Sequence, residues 1–545
     1  MCNESKKCKK NAISKESEKS EKIINFEKWL DSYLNFEKTP KKNIFWLETM
    51  KFFCSKFKNP ENAERCFHVA GSKGKGSVSM FIASILKEAG FNAGLYTSPH
   101  ILDFLERVSL AGDKFSNEIY EKAADELMRT VEAVKEEELP GGRGITWFEL
   151  VTVFAFLVFR QAKTDFAVYE VGLGGRLDST NVVNPVCACI GPIELEHTEF
   201  LGDTVEKIAA EKGGIIKPAS KVVIAKQVPS VRKVFEEIAK ERNAEVFFVD
   251  DEIKNLEFKI EKISLSVAES AREAEGNARN KNHPVMSVSF ESKYFSRPVH
   301  AKLKMLGKFQ AQNAALAALA VKIALPEISE ETIEKGLSNA VLPARFEVVP
   351  SPKNYENIPY LVLDGAHTVN SETFTMETMR ETGLLGMDSK DTDCADKADF
   401  STDSKTENDS KNAAFDSGKA QNNTERAYKA DLGTEQADSD LGESDSNKPV
   451  LLFACAADKD VKDIAPLFKE KFRKIFLTKP GNVKISDTKK MEDAFDENGI
   501  PYDFDADFSS QIKKALNFAD EKKSVLLVTG SFYLVAEAKK ILLES

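Results

Sequence analysis

The stretch HVAGSKGKGS, residues 68–77, carries three glycines around a lysine at a spacing suited to an anion. Gly71, Gly74 and Gly76 let backbone amides turn inward, Lys75 adds a charge, and the periodic run that follows presents a helix N-terminus. The usual phosphate loop, GxxxxGK[ST], puts a hydroxyl directly after the lysine to hold magnesium. Here that position is Gly76 and the hydroxyl of Ser77 comes one residue later, so this stretch leaves the place of a metal open.

Other segments offer metal chemistry. Glu170 ends the apolar run DFAVYE and is followed by VGLGGRLDSTN, whose glycines bring backbone close to a ligand and whose Arg176 can meet negative charge. His197 lies in the acidic turn ELEHTEF, and the chain has only six histidines. A lone histidine of this kind is either a metal ligand or a surface hydrogen-bonding group. Lys212, fifteen residues on, reads by itself as a cation near a helix C-terminus.

The elements that must position these groups alternate from about residue 67. Short apolar runs at CFHVA, AGLYT, DFAVYEVG, VCACIG, KVVIA and EVFFVD are separated by helix-length stretches near 117–138, 146–162 and 204–218, the pattern of a parallel sheet covered by helices. A helix from about 309 to 324 closes this unit, and residues 266–285 read as a polar surface excursion. After LPARFEVV the alternation restarts with YLVLDGAH, KPVLLFACA, KIFLT and SVLLVTGS, a second and smaller α/β unit. Carboxyl ends of parallel strands are where such sheets bind ligands, which is where Glu170 falls.

Length and composition agree. A chain of 545 residues exceeds one core, and 42% hydrophobic residues suit a globular enzyme. The net charge of −11 is concentrated: Asp388 to Lys448 holds 16 acidic against 8 basic residues, so the remainder is nearly neutral and selects no nucleic acid or other charged partner. That same segment, about 387–448, has too little apolar content to offset its ordering entropy and reads as a disordered insertion. Residues 1–22 read as a disordered tail without the apolar core of a signal peptide, and no run reaches the roughly 18 apolar residues of a membrane span. The eight scattered cysteines lack CxxC pairs, which favours a reduced, cytoplasmic protein.

Taken together and in order, these segments resemble the folylpolyglutamate synthase / dihydrofolate synthase family of the Mur ligase superfamily. The matching segments are HVAGSKGKGS, YTSPHILDFLERV, TWFELVT, EVGLGGRLDSTN, EHTEFLGDTVEKIAAEKGGIIKP, QAQNAALA, LPARFEVV, LDGAH, DKD and GSFYLVAE. The resemblance implies an N-terminal P-loop ATPase-like parallel-sheet domain, residues 23–345, and a smaller C-terminal Rossmann-like α/β domain, residues 346–545, interrupted by the insertion. It implies an ATP-dependent ligase that adds L-glutamate to a folate through an acyl phosphate, with dihydropteroate a second acceptor left open, acting as a monomer. ATP contacts fall on Gly74, Lys75, Gly76, Ser77, Asn313, Arg345 and Asp364. Magnesium, two ions, falls to Ser98, Glu170 and His197. Lys75, His367 and a carbamylated Lys212 take catalytic parts, and Thr146, Leu177, Asp178 and Ser179 meet the pterin substrate.

This chain departs from the family pattern at Ser72-Lys73, where the family has Thr-Asn, and at Glu196, Phe309 and Thr368. The segment KTPKKNIFWLETM poorly matches one associated with dihydropteroate binding. Three other readings share parts of the signal: a Mur-type ligase for a cell-wall precursor, a phosphotransferase or NTPase, and a nucleotide-binding module without catalysis.

Overall fold

The computed structural model describes residues 19–35, 47–262, 284–350, 352–386 and 447–544. Most of the expected tail and nearly all of the polar excursion and of the expected insertion lie outside the described residues. Within the span expected as a tail, a helix already begins at Glu21, capped by Ser20, whose Oγ accepts from Ile23 N at 3.4 Å. Lys448, expected to end the insertion, leads into a strand, and its carbonyl accepts from Ser524 Oγ at 2.9 Å.

The α/β class holds. A seven-stranded sheet has the order β3-β2-β4-β1-β5-β6-β7, with β1 Arg65–Ala70, β2 Ala93–Tyr96, β3 Val108–Leu110, β4 Phe166–Glu170, β5 Cys187–Ile190, β6 Lys221–Ile224 and β7 Glu245–Phe248. All its pairings are parallel except β2 with the short edge strand β3. Apart from Arg65 at the start of β1, strands β1, β2, β4 and β5 are buried over their length and mostly apolar, because helices cover both faces. On one face lie the helices Lys75–Glu88 and Lys308–Ala324; on the other, the helix Trp147–Ala162 is apolar nearly all round and packs in a cluster of aromatic rings.

The second sheet has the order β11-β12-β16-β13-β14-β15: β11 Glu347–Pro350, β12 Tyr360–Leu363, β13 Val450–Phe453, β14 Lys474–Leu477, β15 Asp503–Phe504 and β16 Leu526–Thr529. Only β11 runs antiparallel.

A third sheet departs from the sequence reading. Strands β8 Lys254–Ile260, β9 Met286–Glu291 and β10 Val299–Leu303 form an antiparallel meander on either side of the polar excursion. Their burial alternates, as suits a sheet with one wet face, and Met286, Val288, Phe290, Val299, Ala301 and Leu303 join the core beside the helix Lys308–Ala324.

Candidate active site

Strand order explains why residues a hundred apart in sequence converge. β1 is central, with β4 on one side and β5 on the other, and the register sets Glu170 opposite Val69 and Ile190 opposite Ala70. The phosphate loop, Glu170 and the Glu194–His197 turn therefore leave the sheet at neighbouring carboxyl ends. β2 lies on the far side of β4, which brings Ser98 alongside; its amide donates to Glu170 Oε2 at 2.9 Å.

Gly74 caps the helix Lys75–Glu88 with φ 77° and no side-chain cap. The first helical bond runs from Val78 N to Gly74 O at 2.9 Å, so the amides of Lys75, Gly76 and Ser77 have no helical acceptor and make an anion site. A Cβ on Gly74 would also sit 2.4 Å from Asn313 Oδ1. The loop is braced from two directions. Gly71 passes so close to Gly191 that a Cβ would come within 2.9 Å of the Gly191 Cα. Gln310 Nε2 donates to Ser77 Oγ at 3.1 Å, and Asn313 Nδ2 donates to Gln310 Oε1 at 3.1 Å.

Facing this loop, the carboxyl ends of β12, β16 and β13 present Asp364 to His367, Gly530 to Tyr533, and Ala456 to Lys459. Both sets of strand ends line one cleft of about 1370 Å³. Of the residues expected from sequence, Gly74, Lys75, Gly76, Ser77, Ser98, Thr146, Glu170, Leu177, Asp178, Ser179, His197, Asn313, Arg345, Asp364 and His367 all line it.

Lys212 does not. It is 1% exposed and lies behind the loop, where its Nζ donates to Gly71 O at 3.0 Å and pairs with Glu196 Oε1 at 2.7 Å. Burial and the Lys75 cation push its amine down to about 8. Burial acts against the Glu196 carboxylate, yet Lys75 and Lys212 bring it down to about 2.

Two expected substrate contacts have internal tasks as well. Thr146 caps the helix Trp147–Ala162, and its Oγ1 donates to Glu149 Oε2 at 2.8 Å. The Asp178 carboxylate accepts the amides of Gly172 and Leu173, each at 3.0 Å, and of Thr180 at 2.9 Å, so it folds the glycine loop rather than standing free.

Charge at the junction is arranged in layers. Burial raises the Glu170 carboxyl above its ordinary value, against the pull of Lys75, the Ser98 amide and Arg345. Arg345, held below its usual value by burial, lies within the fields of Glu170 from the first sheet and Asp364 from the second, and stacks 4.2 Å from the Phe532 ring centre. Its neighbours Ala344 and Phe346 both take left-handed backbone, φ 57° and 48°, a strain typical of functional turns. His367 is kept neutral by burial and by Lys73, with a value of about 3. Its Nδ1 meets Gly365 O at 2.8 Å; a carbonyl only accepts, so Nδ1 carries the proton and Nε2 is the acceptor.

The departures also find places. Thr368 caps the helix Val369–Glu381 by accepting from Ser371 N at 3.3 Å. Phe309 lines the cleft, 5.8 Å from the Phe374 ring. The hydroxyl of Ser72 fastens the loop to Glu194, accepting from its amide at 3.0 Å. Gln310, Gly191 and Lys459 carry site geometry to which sequence reading gave no role, although Gln310 opens the quoted motif QAQNAALA and Lys459 lies in DKD.

A phosphate loop in a seven-stranded, mostly parallel sheet shares a cleft with a second α/β sheet; residues 69–321 match the Mur ligase middle domain, and with the relatives below this makes the chain an ATP-dependent ligase. The chain is 35% identical over 358 residues to the dihydrofolate synthase/folylpolyglutamate synthase of Bacillus subtilis, a match covering 65% of this chain and 75% of the relative. It is 32% identical over 325 residues to a probable bifunctional folylpolyglutamate synthase/dihydropteroate synthase of Haloferax volcanii, covering 59% of this chain but only 35% of that longer protein. The folylpolyglutamate synthase of Mycobacterium tuberculosis in complex with ADP superposes with a TM-score of 0.70 at 21% identity, over 96% of this chain and 98% of that one. The chain belongs to the dihydrofolate synthase/folylpolyglutamate synthase family.

Proposed function

We propose that this cleft joins the amine of L-glutamate to the γ-carboxylate of a reduced folate, with ATP driving amide formation. The observation that carries it is the meeting, in one cleft, of the phosphate loop and Glu170 from one sheet with Arg345, Asp364 and His367 beside the other.

The folate carboxylate attacks the γ-phosphorus of ATP; the bond to the β–γ bridging oxygen breaks, leaving an acyl phosphate and ADP. The amides of Lys75, Gly76 and Ser77 hold phosphate oxygens, and Lys75 Nζ, at rest 2.9 Å from Gly71 O, turns to them. The glutamate amine then attacks the acyl carbon, the carbon–oxygen bond to phosphate breaks, and phosphate leaves as the amine sheds its proton. The Nε2 of His367 orients the amine as a hydrogen-bond acceptor. A closed cleft keeps water from the acyl phosphate.

Magnesium suits this donor set. Among the described residues no three His, Cys, Asp or Glu side chains gather around one point, so the protein alone does not cage an ion. Magnesium is commonly held by one or two carboxylates together with substrate phosphates, and Glu170 with Ser98 and His197 supplies such a partial set. When bound, it neutralises charge on the phosphates.

Lys212 works as its carbamate. A partly neutral amine adds CO2, the nitrogen–carbon bond forms, a proton leaves, and a cation becomes an anion beside Glu196. Removing CO2 from the buffer is expected to lower turnover several-fold, with bicarbonate restoring it; unchanged turnover in CO2-free buffer contradicts this role.

Acceptor choice is tested by supplying dihydropteroate and tetrahydrofolate in parallel with ATP and glutamate. Glutamylated tetrahydrofolate is the expected product by mass. Product from dihydropteroate alone would overturn the folate assignment, and product from both would make the protein bifunctional.

A further inference from the structure

Lys73 stands in the phosphate loop and has no part in the chemistry above. Its backbone is fixed. Ser72 N donates to Pro192 O at 2.9 Å, and the Lys73 carbonyl lies against Gly191, where a Cβ would come within 2.7 Å of it. The side chain is half-buried and lines the cleft rather than the outer surface. Among the described residues its Nζ makes no hydrogen bond or ion pair, whereas Lys75 is folded back on Gly71 O and Lys212 is paired with Glu196.

Its surroundings define what it waits for. Glu194 and Glu196 lie on the side of the first sheet, and Lys459 and His367 on the side of the second; each is near enough for its charge to act on Lys73 or to feel it. A small anion entering between them would meet Lys73 and Lys459 from opposite walls. The helix N-terminus holds the phosphates nearest the loop, so the phosphoryl group that extends toward the second sheet is the terminal one. That is the group which must reach an acceptor bound between the sheets.

We propose that Lys73 contacts the terminal phosphoryl group of ATP and follows it as it is transferred, so that this loop carries two phosphate cations with divided tasks. Lys75 serves the phosphates that stay with ADP, and Lys73 serves the one that leaves. Burial depresses the Lys73 ammonium, with Glu196 and Glu194 opposing, and an arriving phosphate dianion relieves that cost. The contact with the nucleotide needs only ATP binding; the part in transfer rests on the ligase reading above.

The test compares ADP with a non-hydrolysable ATP analogue carrying the γ-phosphoryl group, by calorimetry on the full chain with magnesium. K73N is expected to weaken the analogue about 10-fold or more while ADP changes less than about 2-fold, the loss of one charge-assisted hydrogen bond. K73R is expected to keep most of the preference. A purely structural role would weaken both nucleotides together, and that result, or unchanged binding of both, overturns the proposal. With tetrahydrofolate and glutamate, K73N is expected to lose kcat with KM for glutamate unchanged. If wild-type protein binds the analogue through Lys73 yet glutamylates no folate, the ligase reading falls and the nucleotide contact stands.

Discussion

Replacing Lys75 with alanine lowers kcat/KM for glutamate-dependent ADP release by about 10³-fold or more while the protein stays folded. The size follows from where the charge acts. In a water-excluded cleft, a cation beside the β-phosphate, where negative charge builds as ADP leaves, has an effect of the order seen on removing a single oxyanion donor, about 10²–10³-fold, and Lys75 serves a more highly charged group. Stability is little affected because Lys75 begins a helix at a half-buried position and, among the described residues, its side chain bonds only to Gly71 O. Its loss carries a second signature. Lys75 helps hold the Lys212 amine down, so in K75A that amine moves back up and more of it is protonated at neutral pH. Steady-state kinetics beside a thermal melt checks the first point; turnover within about tenfold of wild type would remove Lys75 from the chemistry.

Replacing Glu170 with glutamine separates function from stability in the opposite direction. The amide oxygen can keep the bond from Ser98 N, so the shape of the site is preserved. The charge is lost, and with it a deeply buried carboxylate beside the phosphate loop that is available to a magnesium–phosphate complex. Activity is expected to fall about 10²-fold or more, and excess magnesium is expected to recover only part of it. The melting temperature is expected to hold or rise, because a carboxylate only 4% exposed costs desolvation that a neutral amide does not. A variant that loses stability as well as activity would show Glu170 to be structural.

Much of this site was legible because it is written in local runs. The apolar strand before Gly71, the glycine–lysine turn and the helix after it are contiguous, and so are β4 with Glu170 and β12 with Asp364 and His367. What a local pattern leaves out is which strand neighbours which. The approach of Gly71 to Gly191 and the bond from Gln310 to Ser77 join segments 120 and 233 residues apart, and nothing within either segment announces the other. The meander β8–β10 was missed for a different reason: its alternation in MSVSFE is visible, but the excursion separating β8 from β9 hides the pairing. Its own segment marks Lys212 only as a helix C-terminal cation, which fits its place in the helix Val205–Gly213, and the family resemblance alone singles it out. Only the fold turns that position inward beneath the phosphate loop, where the amine is buried against Glu196.

The three competing readings separate on one balance sheet of atoms. A nucleotide-binding module releases no ADP, an NTPase or phosphotransferase releases it without glutamate, and a ligase for another acid releases it only when that acid is supplied. The direct measurement follows ADP and the new amide together, with tetrahydrofolate, glutamate and ATP each omitted in turn. One ADP per amide formed, with no appreciable release when either acceptor is missing, is the expected result. ADP release that continues at the same rate without glutamate would contradict the account.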